Sequence, residues 1–251
     1  MNKKFILIIA SLTLLSACGQ DNQSDNTDTQ SQGDQVVSIK SSPSKLAKYM
    51  LEDTVCNALS VDELKQLFNV TTEVKIAGQT NNYSSGVTCS YNWTRSDAAE
   101  RKEEFIDYTI QQMQGKVEKI SMRQRTTESN ISIQVDEYKG QLTRFVPVKL
   151  SEEQLQSQIE LAKKRAEERL TDEQKKVAGD MANSMVEKML RQNNNNEVID
   201  NLGDGAYWSN VAGGGLNILS GNTKMFISLM IGDTQEEDKQ NAIKIAKSIL
   251  N

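Results

Sequence analysis

The side chains that could do chemistry here are few and restricted in type. There is no histidine among the 251 residues. That removes Ser-His-Asp and Cys-His hydrolysis, His-ligated zinc or copper, and the usual general base near neutral pH. Carboxylate pairs remain, at Asp136-Glu137, Glu152-Glu153 and Glu236-Glu237. Two carboxylates facing across a cleft can hydrolyse glycosides. These pairs instead sit in charged stretches or at helix starts, where the helix dipole favours acidic side chains. Met181, Met185 and Met189 recur every four residues and form one thioether stripe on a helix. Such a stripe can bind Cu(I). Val177 continues it, however, and Met fills irregular gaps well, so a packing or partner-binding face is the stronger reading. Gly203-Asp204-Gly205 and Gly213-Gly214-Gly215 lack the Gly-Lys-Ser/Thr ending of a phosphate cradle and read as strand turns. Asp204 has no further carboxylates at calcium-loop spacing. Trp93, Tyr207 and Trp208 are the aromatic candidates for lining a ligand pocket, with core packing as the competing reading. No catalytic residue, metal ligand or cofactor is expected.

The three cysteines fall into two groups. Cys18 ends a leader of distinct character. Met1-Asn2-Lys3-Lys4 is basic, and Phe5 to Leu15 is an apolar run broken only by Ser11 and Thr13. This matches a secretory signal and is too short to span a bilayer as a helix. Leu15-Ser16-Ala17-Cys18 resembles the lipobox of bacterial lipoproteins. The resemblance implies removal of residues 1–17 as a signal peptide. It also implies a diacylglyceryl group on the Cys18 thiol, a palmitate-type modification. Two or more acyl chains give stable membrane attachment. In a host with two membranes, Gly19 rather than Asp after Cys18 points to the outer membrane, facing the periplasm. Disulfides persist outside the cytoplasm, so Cys56 and Cys89 are expected to be bridged. A redox or nucleophilic role would need a Cys-x-x-Cys spacing or a His partner, and neither exists.

The net charge is −5, and losing Lys3 and Lys4 with the signal takes it to −7. An acidic chain is a poor ligand for nucleic acid or for anionic lipid headgroups. Residues 18–44 are rich in Gln, Asn, Asp and Ser, with little to bury. They read as a disordered tether with a typical reach of about 25–30 Å.

Residues 45–251 read as a single α+β domain: an antiparallel sheet with helices packed on one face, plus a helical hairpin insertion at residues 150–192. Leu46, Ala47, Met50 and Leu51 have helical spacing. Ser60-x-x-Glu63, Ser151-x-x-Gln154, Thr171-x-x-Gln174 and Thr234-x-x-Glu237 are capping boxes that open helices. After the first, Leu64, Leu67 and Phe68 form an apolar face. Val70 to Ala77, Val87 to Trp93, Ile131 to Val135 and Met225 to Ile231 are predicted strands, with Leu142 to Val148 pairing nearby. Ser96 to Gln114 is a predicted helix with Phe105, Ile106, Ile110 and Met113 inward. The hairpin carries Leu155, Ile159, Ala162, Ala166 and Leu170 on its first helix and the Met stripe on its second. Ala242, Ile243, Ala246, Ile249 and Leu250 of the last helix face the sheet.

Cys56 before a helix, Cys89-Ser90-Tyr91-Asn92-Trp93 and Gly203-Asp204-Gly205-Ala206-Tyr207-Trp208 come before an apolar hairpin and a closing Ala-rich helix. This order resembles a family of cell-envelope lipoproteins of unknown function related to extracellular sensor domains of bacterial receptor kinases. The resemblance covers residues 56–95 and 200–250. It implies a Cys56–Cys89 bridge and a ligand cleft between sheet and helix. The hairpin departs from the family pattern. The expectation is a lipid-anchored, non-enzymatic, sensor-like or binding module of the cell envelope. It would hold a small apolar ligand near Trp93, Tyr207 and Trp208, or an envelope protein on Met181, Met185 and Met189. The alternatives are an envelope hydrolase using paired carboxylates and a structural spacer lipoprotein.

Overall fold

Side chains in a strand point alternately to opposite faces. Val87, Cys89, Tyr91 and Trp93 therefore share one face, and Thr88, Ser90 and Asn92 share the other. The computed structural model describes residues 44–80, 86–115 and 122–251, all within one compact unit. The signal, Cys18 and the tether up to residue 43 lie outside the described residues.

The strands are β1 (Lys75–Thr80), β2 (Val87–Thr94), β3 (Glu128–Glu137), β4 (Glu197–Val198), β5 (Gly205–Ser209), β6 (Gly215–Ser220) and β7 (Thr223–Met230). They form one antiparallel sheet in the order β1-β2-β3-β7-β6-β5-β4. The C-terminal meander runs backwards, so β7 lands beside β3. Ile131 pairs with Leu229, Ile133 with Ile227 and Val135 with Met225. The helices are α1 (Glu52–Val55), α2 (Val61–Phe68), α3 (Ala98–Met113), α4 (Met122–Arg125), α5 (Glu152–Glu168), α6 (Asp172–Asn194) and α7 (Gln235–Leu250). The fold is α+β. α7 packs against β6 and β7, and α1 packs against β1, β2 and β3. α5 and α6 form the helical hairpin.

Capping chemistry opens the helices where the sequence predicts it. Glu63 N donates to Ser60 Oγ at 3.2 Å, and Ser60 N donates to Glu63 Oε2 at 2.9 Å. Ser151 with Gln154, and Thr234 with Glu237, repeat the arrangement. The Thr171-x-x-Gln174 box involves side chains outside the described set, as does Val177. Asn69 ends α2 in the left-handed conformation at φ 51°, which Asn tolerates better than most residues.

The core sits between the sheet and its helices. Cys89, Tyr91, Ile131, Ile133, Leu216, Ile218 and Ile227 are sealed on the sheet side, facing Val55, Leu59, Leu64, Ala242, Ala246 and Ile249. Ile245 of α7 is also fully buried, beyond the residues the periodicity suggests. Each large aliphatic side chain buried here contributes about 1.5–3 kcal/mol. Cys56 and Cys89 are bonded, tying the α1–α2 junction to β2.

Four expectations are corrected. The first strand begins at Lys75 rather than Val70. Leu142 to Val148 is not a strand: Leu142–Arg144 is a short 3-10 turn. Phe145 turns into edge-to-face contacts with Tyr138 and Tyr207, at 5.2 and 5.6 Å between ring centres. The edge of β5 is taken instead by β4, a strand too short to carry an alternation signal. The helix over Ser96 to Gln114 exists, but Phe105, Ile106, Ile110 and Met113 face outward, Met113 with 85% of its surface exposed. Arg101 is the buried residue of α3, held by carboxylates, and the helix packs mainly against α4. Leu51 is likewise exposed, at the start of α1 after a single 3-10 turn over Ala47–Tyr49.

Candidate functional site

The aromatic candidates do not converge. Trp208 pairs with Leu216, and Trp93 continues the Val87–Cys89–Tyr91 face, so both lie in the core under the helices. Tyr207, one residue from Trp208, points to the opposite face and meets Phe145. Burial, then the neighbouring Tyr138, raises the pKa of its phenol. The sheet–helix space that the family resemblance assigns to a ligand is filled by side chains.

The Met stripe is on the surface. Met181, Met185 and Met189 are 71, 58 and 37% exposed. The half-buried positions of α6 include Ala182, Asn183, Val186, Glu187, Leu190 and Arg191. Polar contacts set this rotation of the helix. Asn183 Nδ2 donates to Glu167 at 2.8 Å, Lys163 Nζ to Glu187 at 2.6 Å, and Arg191 Nη1 to Glu152 at 2.7 Å. A broad depression of about 590 Å³ runs along this side of α6. Its Lys163, Glu187 and Arg191 are already paired with one another or with Glu152.

Each carboxylate pair has at least one member engaged elsewhere. Glu152 holds Arg191, Glu236 holds Lys239, and Glu237 caps α7. Asp136 Oδ2 lies 3.3 Å from Lys224 Nζ, and Glu137 lies 3.5 Å from Lys139. Among the described residues, no group of three His, Cys, Asp or Glu could hold a metal ion.

A partly buried ionic cluster ties α3 and α4 to the β7–α7 junction. Arg101 bonds Asp97 at 2.7 Å and Asp233 at 2.6 Å, while Arg95 bonds Asp97 at 3.1 Å. Arg123 faces Asp238 at 3.0 Å and also donates to Gly213 O. Burial pushes the Asp97 carboxyl up, but hydrogen bonds from Arg101 and Arg95 outweigh it and hold the carboxyl below its usual range. Each guanidinium here already has a carboxylate partner, which makes the cluster a structural lock rather than an anion site.

The remaining candidate is the open face of the sheet. Its residues alternate with the core. Leu219 is buried on this face beside Lys224, and Tyr207, Phe226 and Met230 are its other large apolar or aromatic members; the rest of its central part is polar: Ser90, Asn92, Asn130, Ser132, Gln134, Asp136, Asn217, Lys224 and Ser228. Asn130 Nδ2 donates to Asn92 Oδ1 at 2.7 Å, closing one amide pair. A cleft of about 210 Å³ opens further along, lined by Gln134, Asp136, Asn217, Lys224, Met225 and Phe226. Register sets its layout. Gln134 on β3 and Asn217 on β6 both pair with Phe226 on β7, so an aromatic residue stands between two amide residues in the register. Asp136 and Lys224 form the next row. The Phe226 ring covers Gly215 so closely that a side chain there would collide with it. Gln134, Phe226 and Asn217 are all half-buried. Among the described residues, neither the Gln134 nor the Asn217 side-chain amide has a hydrogen-bond partner. Sequence reasoning missed these three. The period-2 pattern places them on the face away from the core, but pairing across β3, β7 and β6 is what brings them together.

Among the described residues no helix is long and apolar enough to cross a membrane. No protein-family model, no curated protein and no solved structure matches this chain.

Proposed function

We propose that this chain is a lipid-anchored, non-enzymatic binding module of the cell envelope, and that the cleft at Gln134, Phe226 and Asn217 is its ligand site. The leader and the Leu15-Ser16-Ala17-Cys18 motif support the anchoring. The observation that carries the binding reading is the pair of unpartnered amides flanking a half-exposed ring. Both amides are half-buried and bonded to no other described group, so their donors and acceptors face the cleft free to bond a ligand. The core-filled space beneath the helices disfavours the small apolar ligand first expected there. The engaged carboxylate pairs weigh against the hydrolase alternative.

Anchoring predicts that Cys18→Ser protein, exported behind a cleavable secretory signal, moves from the membrane fraction to the soluble envelope fraction. Retention of that variant in the membrane fraction would refute it. Ligand binding predicts that a concentrated low-mass envelope extract moves the Gln134 and Asn217 side-chain amide signals in NMR spectra of ¹⁵N-labelled Cys18→Ser protein. An unmoved spectrum would count against the cleft. It would favour the second reading, in which Met181, Met185 and Met189 dock an envelope protein, because those thioethers form an exposed stripe on α6.

A further inference from the structure

We propose that the open-face cleft takes a neutral pyranose ring, one unit of a glycan. The inference rests on the reading of this cleft as the ligand site and names the class of its occupant.

Four features select that class. First, the floor is a half-exposed phenyl ring, Phe226. An aromatic face packs against apolar C–H surface, and the flat face of a pyranose presents such surface. Second, Gln134 and Asn217 stand one strand to either side of it. With strands about 4.8 Å apart, their backbones are about 10 Å apart, and both side chains line the cleft together with Phe226. An amide offers two donors and an acceptor together. It suits hydroxyls, which also do both, better than a phosphate that only accepts or an ammonium that only donates. Third, the charges in the cleft cancel: Lys224 Nζ lies 3.3 Å from the largely buried Asp136 carboxylate. An anion would have to compete for that lysine, and a cation for that carboxylate. Fourth, the cleft measures about 210 Å³, below the roughly 300–1,000 Å³ of sites for drug-sized molecules. That is room for one six-membered ring, not for a nucleotide or a lipid chain. A purely apolar occupant would fill the volume but strand both amides without partners, against the rule that buried polar groups are hydrogen-bonded.

A single small ring of this kind binds with a dissociation constant on the order of 1 mM. The test is two-dimensional amide NMR on ¹⁵N-labelled, disulfide-intact Cys18→Ser protein. The probes are tri-N-acetylchitotriose, maltotriose and cellotriose, each titrated to about 10 mM, roughly tenfold above that constant. The expected result is saturable movement of the Gln134 and Asn217 side-chain NH₂ signals and of the Phe226 backbone signal with at least one saccharide. Gln134→Ala, Asn217→Ala and Phe226→Ala should each weaken that binding by about five- to tenfold. Ser228→Ala, on the same face outside the cleft, should leave it unchanged. The two amide variants alter half-exposed polar side chains, so they carry the test even if Phe226→Ala disturbs the sheet. Binding that survives all three cleft variants overturns the proposal. If no saccharide moves these signals but a low-mass envelope extract does, the glycan assignment is wrong and the cleft remains the ligand site. If neither moves them, both the glycan and the cleft reading fall.

Discussion

Replacing Cys56 and Cys89 together by alanine should lower the folding stability by about 3–4 kcal/mol. The bridge closes a loop with a sequence separation of 33 residues. In the chain-entropy account, cross-linking over that length removes much of the freedom of the unfolded chain. Its ends are well chosen for that purpose. Cys89 is fully buried in β2, and Cys56 closes α1 just before the Ser60 cap. The Tyr91 hydroxyl donates to Cys56 O at 3.0 Å, so the same junction is held twice. Burial raises the Tyr91 phenol pKa to about 12, so it stays protonated and able to donate at neutral pH. For a domain of this size the loss corresponds to roughly 6–16 °C in melting temperature. Thermal unfolding of the double variant, compared with the wild type oxidised and reduced, measures it. An unchanged midpoint would show that the packing of α1 alone holds this corner.

Asp238→Ala should cost about 3–5 kcal/mol, as expected when one member of a buried ion pair is removed. Asp238 is fully buried near the start of α7. Its Oδ1 accepts from Ile231 N at 3.0 Å and Gly232 N at 2.8 Å, and its Oδ2 faces Arg123. Alanine would leave two backbone donors and a mostly buried guanidinium without this acceptor. Asp238 also has a pH signature. Burial raises its pKa above the ordinary value, and the Ile231 and Gly232 donors and Arg123 only partly offset that. The folded state therefore takes up this proton at higher pH than the unfolded state does. The contribution of Asp238 grows as pH falls through its folded-state pKa, and levels off below the unfolded value of about 3.9. Asp97 and Glu63 act oppositely. Their carboxyls are held low, so their contributions are lost as pH falls through their folded-state pKa values. Comparing Asp238→Asn with the wild type isolates Asp238. The stability gap should widen in acid relative to neutral pH, read from urea midpoints. A gap independent of pH would mean that Asp238 does not titrate differently in the two states.

The residues alone determined a good deal. Local chemistry is enough to open a helix, so Ser60, Ser151 and Thr234 marked three helix starts correctly. Period-2 alternation with β-branched and aromatic side chains is enough to make half-buried strands, so β2, β3 and β7 were legible. Two cysteines beyond the leader, read as exported, predicted the bridge. The absence of histidine narrowed the chemistry before any geometry was known. Tertiary structure decided what depends on partners distant in sequence. An apolar helix stripe says only that something could cover it. Phe105, Ile106, Ile110 and Met113 look inward by spacing, yet Arg101 and its aspartates orient α3 with those residues outward. Polar contacts between α5 and α6 likewise turned Met181, Met185 and Met189 to the surface. Trp93, Tyr207 and Trp208 read as one aromatic set, but a one-residue step in a strand reverses the face, and that separated Tyr207 from the two tryptophans. The cleft is the clearest case. Gln134, Asn217 and Phe226 are far apart in the chain and unremarkable one by one. They become a site only because the meander runs back to seat β7 beside β3, and no local pattern encodes that pairing.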